Sequence, residues 1–114
     1  MEVKAVSRFV RISPKKARKV ANMVRGMNAK KALSTLKFVP LRTAVPISKT
    51  IKSAIANAKN NYQMNEENLY IKKIFVDQGP VLKRVQAKGM GKADIIRRPL
   101  SHITVYVEEK KEEE

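Results

Sequence analysis

Two β-branched, apolar runs in this chain are joined by a connection that is far too long for a turn and far too basic for a core. Leu69-Tyr70-Ile71-Lys72-Lys73-Ile74-Phe75-Val76 precedes it, and His102-Ile103-Thr104-Val105-Tyr106-Val107 follows it. From Gly79 to Arg98 the connection holds six Lys or Arg against one acid, Asp94. Two β-rich runs with glycines between them read as a hairpin. Ordinary hairpin loops take about 2–5 residues, so a connection of this length implies that the strands continue outward as a two-stranded ribbon. From Asp77 to the glycines is about a dozen residues, which at about 3.3 Å each carries the tip on the order of 35 Å from the domain. A cationic arm of that reach has little to pack against in its own domain. It implies a large, negatively charged partner.

The remaining charge supports this reading. The 114 residues carry a net charge of +15, from 25 Lys and Arg against 10 Asp and Glu. Every charged side chain between Val3 and Asn65 is basic, whereas a merely solvated helix face would intersperse acids at i+4. Repulsion on that scale points to a polyanion, with nucleic acid first and an anionic membrane surface far behind. RNA is expected over DNA, because no helix-turn-helix or basic-region pattern supplies a recognition helix. Structured RNA, by contrast, is recognised largely through shape and backbone. Aromatic residues are few, so a single-strand stacking platform is weakly indicated. The cations assigned to RNA phosphates are Arg8, Arg11, Lys15, Lys16, Arg18, Arg25, Lys83, Arg84, Lys88, Lys92, Arg97 and Arg98, with His102 as a structural or RNA-facing companion.

Helical periodicity fills the first half of the chain. Ser13-Pro14 is a helix start, with Ser as cap and Pro in the first turn. Ala17, Val20, Ala21 and Val24 then form one apolar face, and Gly26 is placed to end the helix in a left-handed conformation. Asn28 caps a second helix on Ala29, Ala32, Leu33 and Leu36, which Phe38-Val39-Pro40 closes. A third and longest helix begins near Thr43, so that Pro46 falls in its first turn. Its stripe is Ala44, Ile47, Ile51, Ala54, Ile55 and Ala58, extended by Tyr62. The small residues Ser53 to Ala58 allow a close neighbour, expected to be the sheet. Val3, Ala5 and Phe9 suggest an opening strand. The expected fold is α+β, a small antiparallel three-stranded sheet packed against three helices, with a long basic β-hairpin extending from it. Residues 1–107 form one domain with the hairpin at about 78–100, and 108–114 an acidic flexible tail.

Enzymatic chemistry finds no support. The single histidine, His102, adjoins Ser101, but neighbours on a strand point to opposite faces and cannot act as base and nucleophile. No carboxylate pair or metal-ligand spacing is present, and no cofactor is expected. Cysteine is absent, which removes zinc-thiolate sites and thiol catalysis. Neither a membrane-spanning run nor a signal peptide is evident, so a cytoplasmic location is expected. Gly89-Met90-Gly91 lacks the strand-to-helix context of a phosphate loop and is better read as a tight ribbon tip.

Five blocks carry a family resemblance. They are Ile12-Ser13-Pro14-Lys15-Lys16-Ala17-Arg18 with Val24-Arg25-Gly26, and Ser53-Ala54-Ile55-Ala56-Asn57-Ala58. Val76-Asp77-Gln78-Gly79-Pro80 with Lys83-Arg84, Gly91-Lys92-Ala93-Asp94, and Ser101-His102-Ile103-Thr104-Val105 complete them. In this order they resemble the large-subunit ribosomal protein twenty-two family, in its compact bacterial form, over residues 3 to 107. The chain departs from the family pattern at Gln86-Ala87-Lys88-Gly89 and at Pro99-Leu100. The resemblance implies a structural constituent of the large subunit that binds its ribosomal RNA and supports assembly beside neighbouring ribosomal proteins. It also implies a hairpin lining the peptide exit tunnel, with Lys88, Gly89, Met90, Gly91, Lys92 and Ala93 at the tip against the nascent peptide. No membrane, DNA or homo-oligomer partner is expected. The alternative from a different class is a free-standing RNA-binding or RNA-chaperone module.

Overall fold

A computed structural model describes the backbone of residues 2–40, 42–88 and 92–109, and the side chains of these residues outside 81–99. The chain runs β1 (Glu2–Val10), α1 (Pro14–Val24), α2 (Ala29–Leu36), α3 (Ala44–Tyr62), a short 3-10 turn (Glu66–Asn68), β2 (Leu69–Lys88) and β3 (Lys92–Glu109). The sheet order is β1-β3-β2, antiparallel throughout. The N-terminal strand therefore pairs with the last one, and β3 becomes the central strand.

The expected α+β architecture is found. Val3, Ala5, Leu69, Ile71, Ile74, Val76, Ile103, Val105 and Val107 line one face of the sheet and pack with the helical stripes into a single core. Leu69 to Val76 does not alternate strictly, because Lys72-Lys73 inserts one residue too many. A register shift between Ile71 and Lys73 absorbs the extra residue, so both lysines stay exposed while Ile74 and Val76 return to the core. All of Ala44, Ile47, Ile51, Ala54, Ile55 and Ala58 are buried. Asn57 in the small-residue segment donates to the Lys4 carbonyl at 3.3 Å, which brings α3 against β1 as expected.

Four local expectations are corrected. Ser13 occupies the cap position of α1 without a side-chain capping bond; its backbone carbonyl accepts the Ala17 N–H at 3.0 Å. Tyr62 is half exposed at the end of α3 instead of extending the buried stripe. Phe9 does not continue the inward series of Val3 and Ala5, because β1 is irregular between Ser7 and Val10 and Phe9 takes φ +58°. The strand also runs past the expected domain limit: Glu108 and Glu109 belong to β3, opposite Tyr70 and Leu69, and of the expected tail, residues 110–114 lie outside the described residues.

Asn28 caps α2 as expected, accepting from the backbone of Lys30 and Lys31. Gly26 has φ +83°, and its N–H donates to the Ile71 carbonyl at 2.9 Å while the Ile71 N–H donates to Met27 at the same distance. This left-handed corner folds the α1–α2 link back onto the outer edge of β2. Beyond Val76 the β2–β3 ladder continues from Val81 opposite Pro99 to Lys88 opposite Lys92. The ribbon stretches the molecule to 72 × 26 × 17 Å, and its radius of gyration of 17.4 Å exceeds the ~13 Å expected of a compact chain this long.

Candidate nucleic-acid interface

Charge is sorted along the sheet. Among the described residues, every ion pair lies at the end remote from the ribbon, where β1 and β2 begin and β3 stops. Lys72 Nζ meets Glu2 Oε1 and Glu108 Oε2, each at 2.8 Å. The arrangement answers a conflict in the ladder, since Glu2 and Glu108 face each other directly in register. Like charges so placed repel, and Lys72 bridges them. Its hydrogen bonds hold both carboxyls below the usual carboxylate range, and theirs, that of Glu108 foremost, raise the Lys72 ammonium above its own. Close by, Lys30 pairs with Glu67 and Glu66, and Lys59 with Glu66.

The ribbon end has the opposite character. Arg8 and Arg11 are exposed where β1 stops, and Lys15 and Lys16 are exposed in the first turn of α1. None of the four has an ion-pair partner among the described residues. The first turn of α1 contains no acid, so the positive end of its helix dipole adds to these charges. Backbone contacts tie this group to the ribbon root. Val10 lies opposite Ser101, and the buried Ser101 hydroxyl donates to the Ile12 carbonyl at 2.8 Å. Asp77, opposite His102, is the one acid with a described side chain at this end.

Three of the residues assigned to RNA have internal duties. Arg18 Nε donates to the Val76 carbonyl at 3.0 Å, and an Arg25 Nη donates to the Ile74 carbonyl at 2.8 Å. β2 is an edge strand, and these guanidinium groups occupy carbonyls that would otherwise invite another strand. The clue in the sequence was their spacing: two turns apart, directly after the buried Ala17 and Val24, they flank the apolar stripe. A guanidinium has five donors, so each still presents charge outward. His102 Nδ1 accepts the Phe9 N–H at 3.1 Å, and its ring meets the Phe9 ring edge to face at 5.0 Å. Gly79 lies so close that a Cβ there would stand 2.9 Å from His102 Nε2. His102 is therefore a structural histidine locking β1, β2 and β3 at the ribbon root. Ser101 and His102 point to opposite faces, as expected.

For Lys83, Arg84, Lys88, Lys92, Ala93, Arg97 and Arg98 the structure gives backbone pairing only; their side chains lie outside the described residues, as do Gly89, Met90 and Gly91 entirely. Among the described residues no helix is long and apolar enough to cross a membrane. Among the described residues no cluster of potential metal ligands occurs.

Residues 5–108 match the family model described as Ribosomal protein L22p/L17e. The chain is 57% identical over 107 residues to the large ribosomal subunit protein uL22 of Fusobacterium nucleatum, covering 94% of this chain and 96% of that protein. It is 54% identical over 110 residues to the protein of the same name in Chloroflexus aggregans, covering 96% and 97%. With that of Desulforamulus reducens it shares 50% over 112 residues, covering 98% and 99%.

Proposed function

The chain belongs to the ribosomal protein L22p/L17e family, and from that premise we propose that it is a structural, non-enzymatic constituent of the large ribosomal subunit that binds large-subunit ribosomal RNA with its ribbon end. The observation that carries this reading is the sorting of charge. Acids neutralise lysines at the remote end, while Arg8, Arg11, Lys15 and Lys16 stand unpaired among the described residues beside the root of the ribbon. A polyanion approaching that end meets, among the described side chains, cations and the single carboxylate of Asp77, and it releases counterions in proportion to the phosphates neutralised. Arg18 and Arg25 contribute charge while holding the edge of β2, and Lys83, Arg84, Lys88, Lys92, Arg97 and Arg98 extend the basic surface along the ribbon.

The ribbon carries the rest of the proposal. Backbone pairing that resumes at Val81 opposite Pro99, beyond a register shift at Gln78–Val81, and runs out to Lys88 opposite Lys92 supports an arm able to reach deep into folded RNA. We assign residues 88 to 93 to the wall of the peptide exit tunnel, in contact with the nascent peptide, in cytoplasmic ribosomes and beside other large-subunit proteins. Binding to large-subunit ribosomal RNA measured across salt tests the first part. Replacing Lys15 and Lys16 together by Gln should lower the slope of log affinity against log salt by about 1 to 2. An unchanged slope would remove this end from the interface. A photo-crosslinker at Met90 in assembled ribosomes tests the second part, and capture of RNA alone, never of a nascent peptide, would refute it. Sedimentation distinguishes the reading from a free-standing RNA-binding module, which would remain off the large subunit.

A further inference from the structure

Phe9 holds a backbone conformation that an aromatic residue rarely adopts, and it does so without burying its ring. At φ +58° it lies in the left-handed region, which is unfavourable for an L-residue with a side chain. Such a position persists only where its surroundings over-determine it. Here the Phe9 N–H is held by His102 Nδ1 at 3.1 Å, and the two rings meet at 84°. The gain is not hydrophobic burial, because the side chain remains 60% exposed. In a regular strand Phe9 would follow Val3 and Ala5 inward. The irregularity instead turns the ring out of the core series, at the ribbon root and on a segment that also carries the exposed Arg8 and Arg11.

An exposed aromatic ring held by His102, on a segment that also carries the exposed Arg8 and Arg11, suits one ligand chemistry in particular. Unpaired bases stack on aromatic side chains, and neighbouring cations hold the phosphates on either side. We propose that Phe9, held by His102, is a stacking platform for an unpaired RNA base. The proposal rests on the RNA-binding reading above and names the feature of the RNA that this end selects. A protein partner is the poorer fit, because the segment carrying the ring has the like charges of Arg8 and Arg11, which phosphates would neutralise.

The test uses the full chain with Phe9→Ala and Phe9→Trp, bacterial large-subunit ribosomal RNA, and heparin as a polyanion without bases. Melting curves first verify that each variant folds. Phe9→Ala should weaken RNA binding about ten- to a hundredfold with an unchanged salt slope, since no charge is removed. Phe9→Trp should bind as the parent does, with indole emission quenched by the RNA and not by heparin. Parent-like binding by Phe9→Ala, as expected if Phe9 instead docks a protein, would overturn the proposal. So would equal quenching by heparin. Absence of RNA binding by the parent chain would instead overturn the reading on which the proposal rests.

Discussion

Arg18 donates its Nε–H to the backbone carbonyl of Val76 at 3.0 Å, joining α1 to β2 at the point where the core ends and the ribbon begins. Arg25 makes the same kind of bond two turns later, to Ile74, and Gly26 bonds Ile71. Together they form a line of donors along the β2 edge. Residues that composition would assign wholly to RNA therefore seal the protein's own sheet.

Arg18→Lys separates the two roles. Lysine keeps the charge, but its ammonium cannot reproduce the planar geometry of a guanidinium. Stability should fall by about 1 kcal/mol, read as a lower melting temperature. The salt dependence of RNA binding should be unchanged. A weakened salt slope with unchanged melting would show that Arg18 serves RNA alone.

Ser101 is fully buried and its hydroxyl serves the Ile12 carbonyl. Ser101→Ala leaves that carbonyl without its partner, at a cost of about 1–3 kcal/mol in urea unfolding. Because Ile12 leads directly into Ser13-Pro14, the start of α1 should also loosen. Faster amide exchange at Ala17, whose N–H donates to the Ser13 carbonyl, is the expected local sign.

Gly79 and His102 should be energetically coupled. An added Cβ at Gly79 would fall 2.9 Å from His102 Nε2 and 3.3 Å from the Leu100 carbonyl. The imidazole has little room to give, being pinned by the Phe9 backbone and ring. Gly79→Ala should cost roughly 1–3 kcal/mol as an overpacking change. In a His102→Ala background the same substitution should cost clearly less, and a double-mutant cycle measures the difference. Additive costs would mean that the ring does not provide the resistance.

The Glu2–Lys72–Glu108 cluster sets a pH signature. Both carboxyls are depressed, chiefly by hydrogen bonds from Lys72. Their contribution is full above the ordinary carboxylate range and is lost as pH falls through their lowered values. Lys72 is raised, so its contribution is full below the ordinary lysine range and is lost as pH climbs through the raised value. The parent chain should thus lose stability on acidification. Lys72→Met leaves two facing carboxylates, whose repulsion mild acid relieves, so its melting temperature should hold or rise over the same pH interval. Because the groups are partly exposed, high salt should narrow the contrast.

Local patterning accounts for much of the fold. The i, i+3, i+4 stripes defined α1, α2 and α3, Asn28 and Pro46 marked helix starts, and the β-branched runs flanking a long basic connection implied the ribbon. Such signals are legible because they depend on residues within a turn or two, and each side chain's face follows from its own backbone period. What the tertiary structure alone decided was which distant groups meet. Pairing β1 with β3 set Glu2 against Glu108, recruited Lys72 between them and left the ribbon end cationic. It also brought together Arg25 and Ile74, 49 residues apart, Arg18 and Val76, 58 apart, and Phe9 and His102, 93 apart. No period in the sequence encodes contacts at those separations. They follow from strand order and, for Phe9 and His102, from the irregularity at Ser7–Val10, which turns Phe9 out of the core series. Composition alone could count the cations, but only the assembled sheet determined which of them close the protein's own edge and which stay without an ion-pair partner among the described residues.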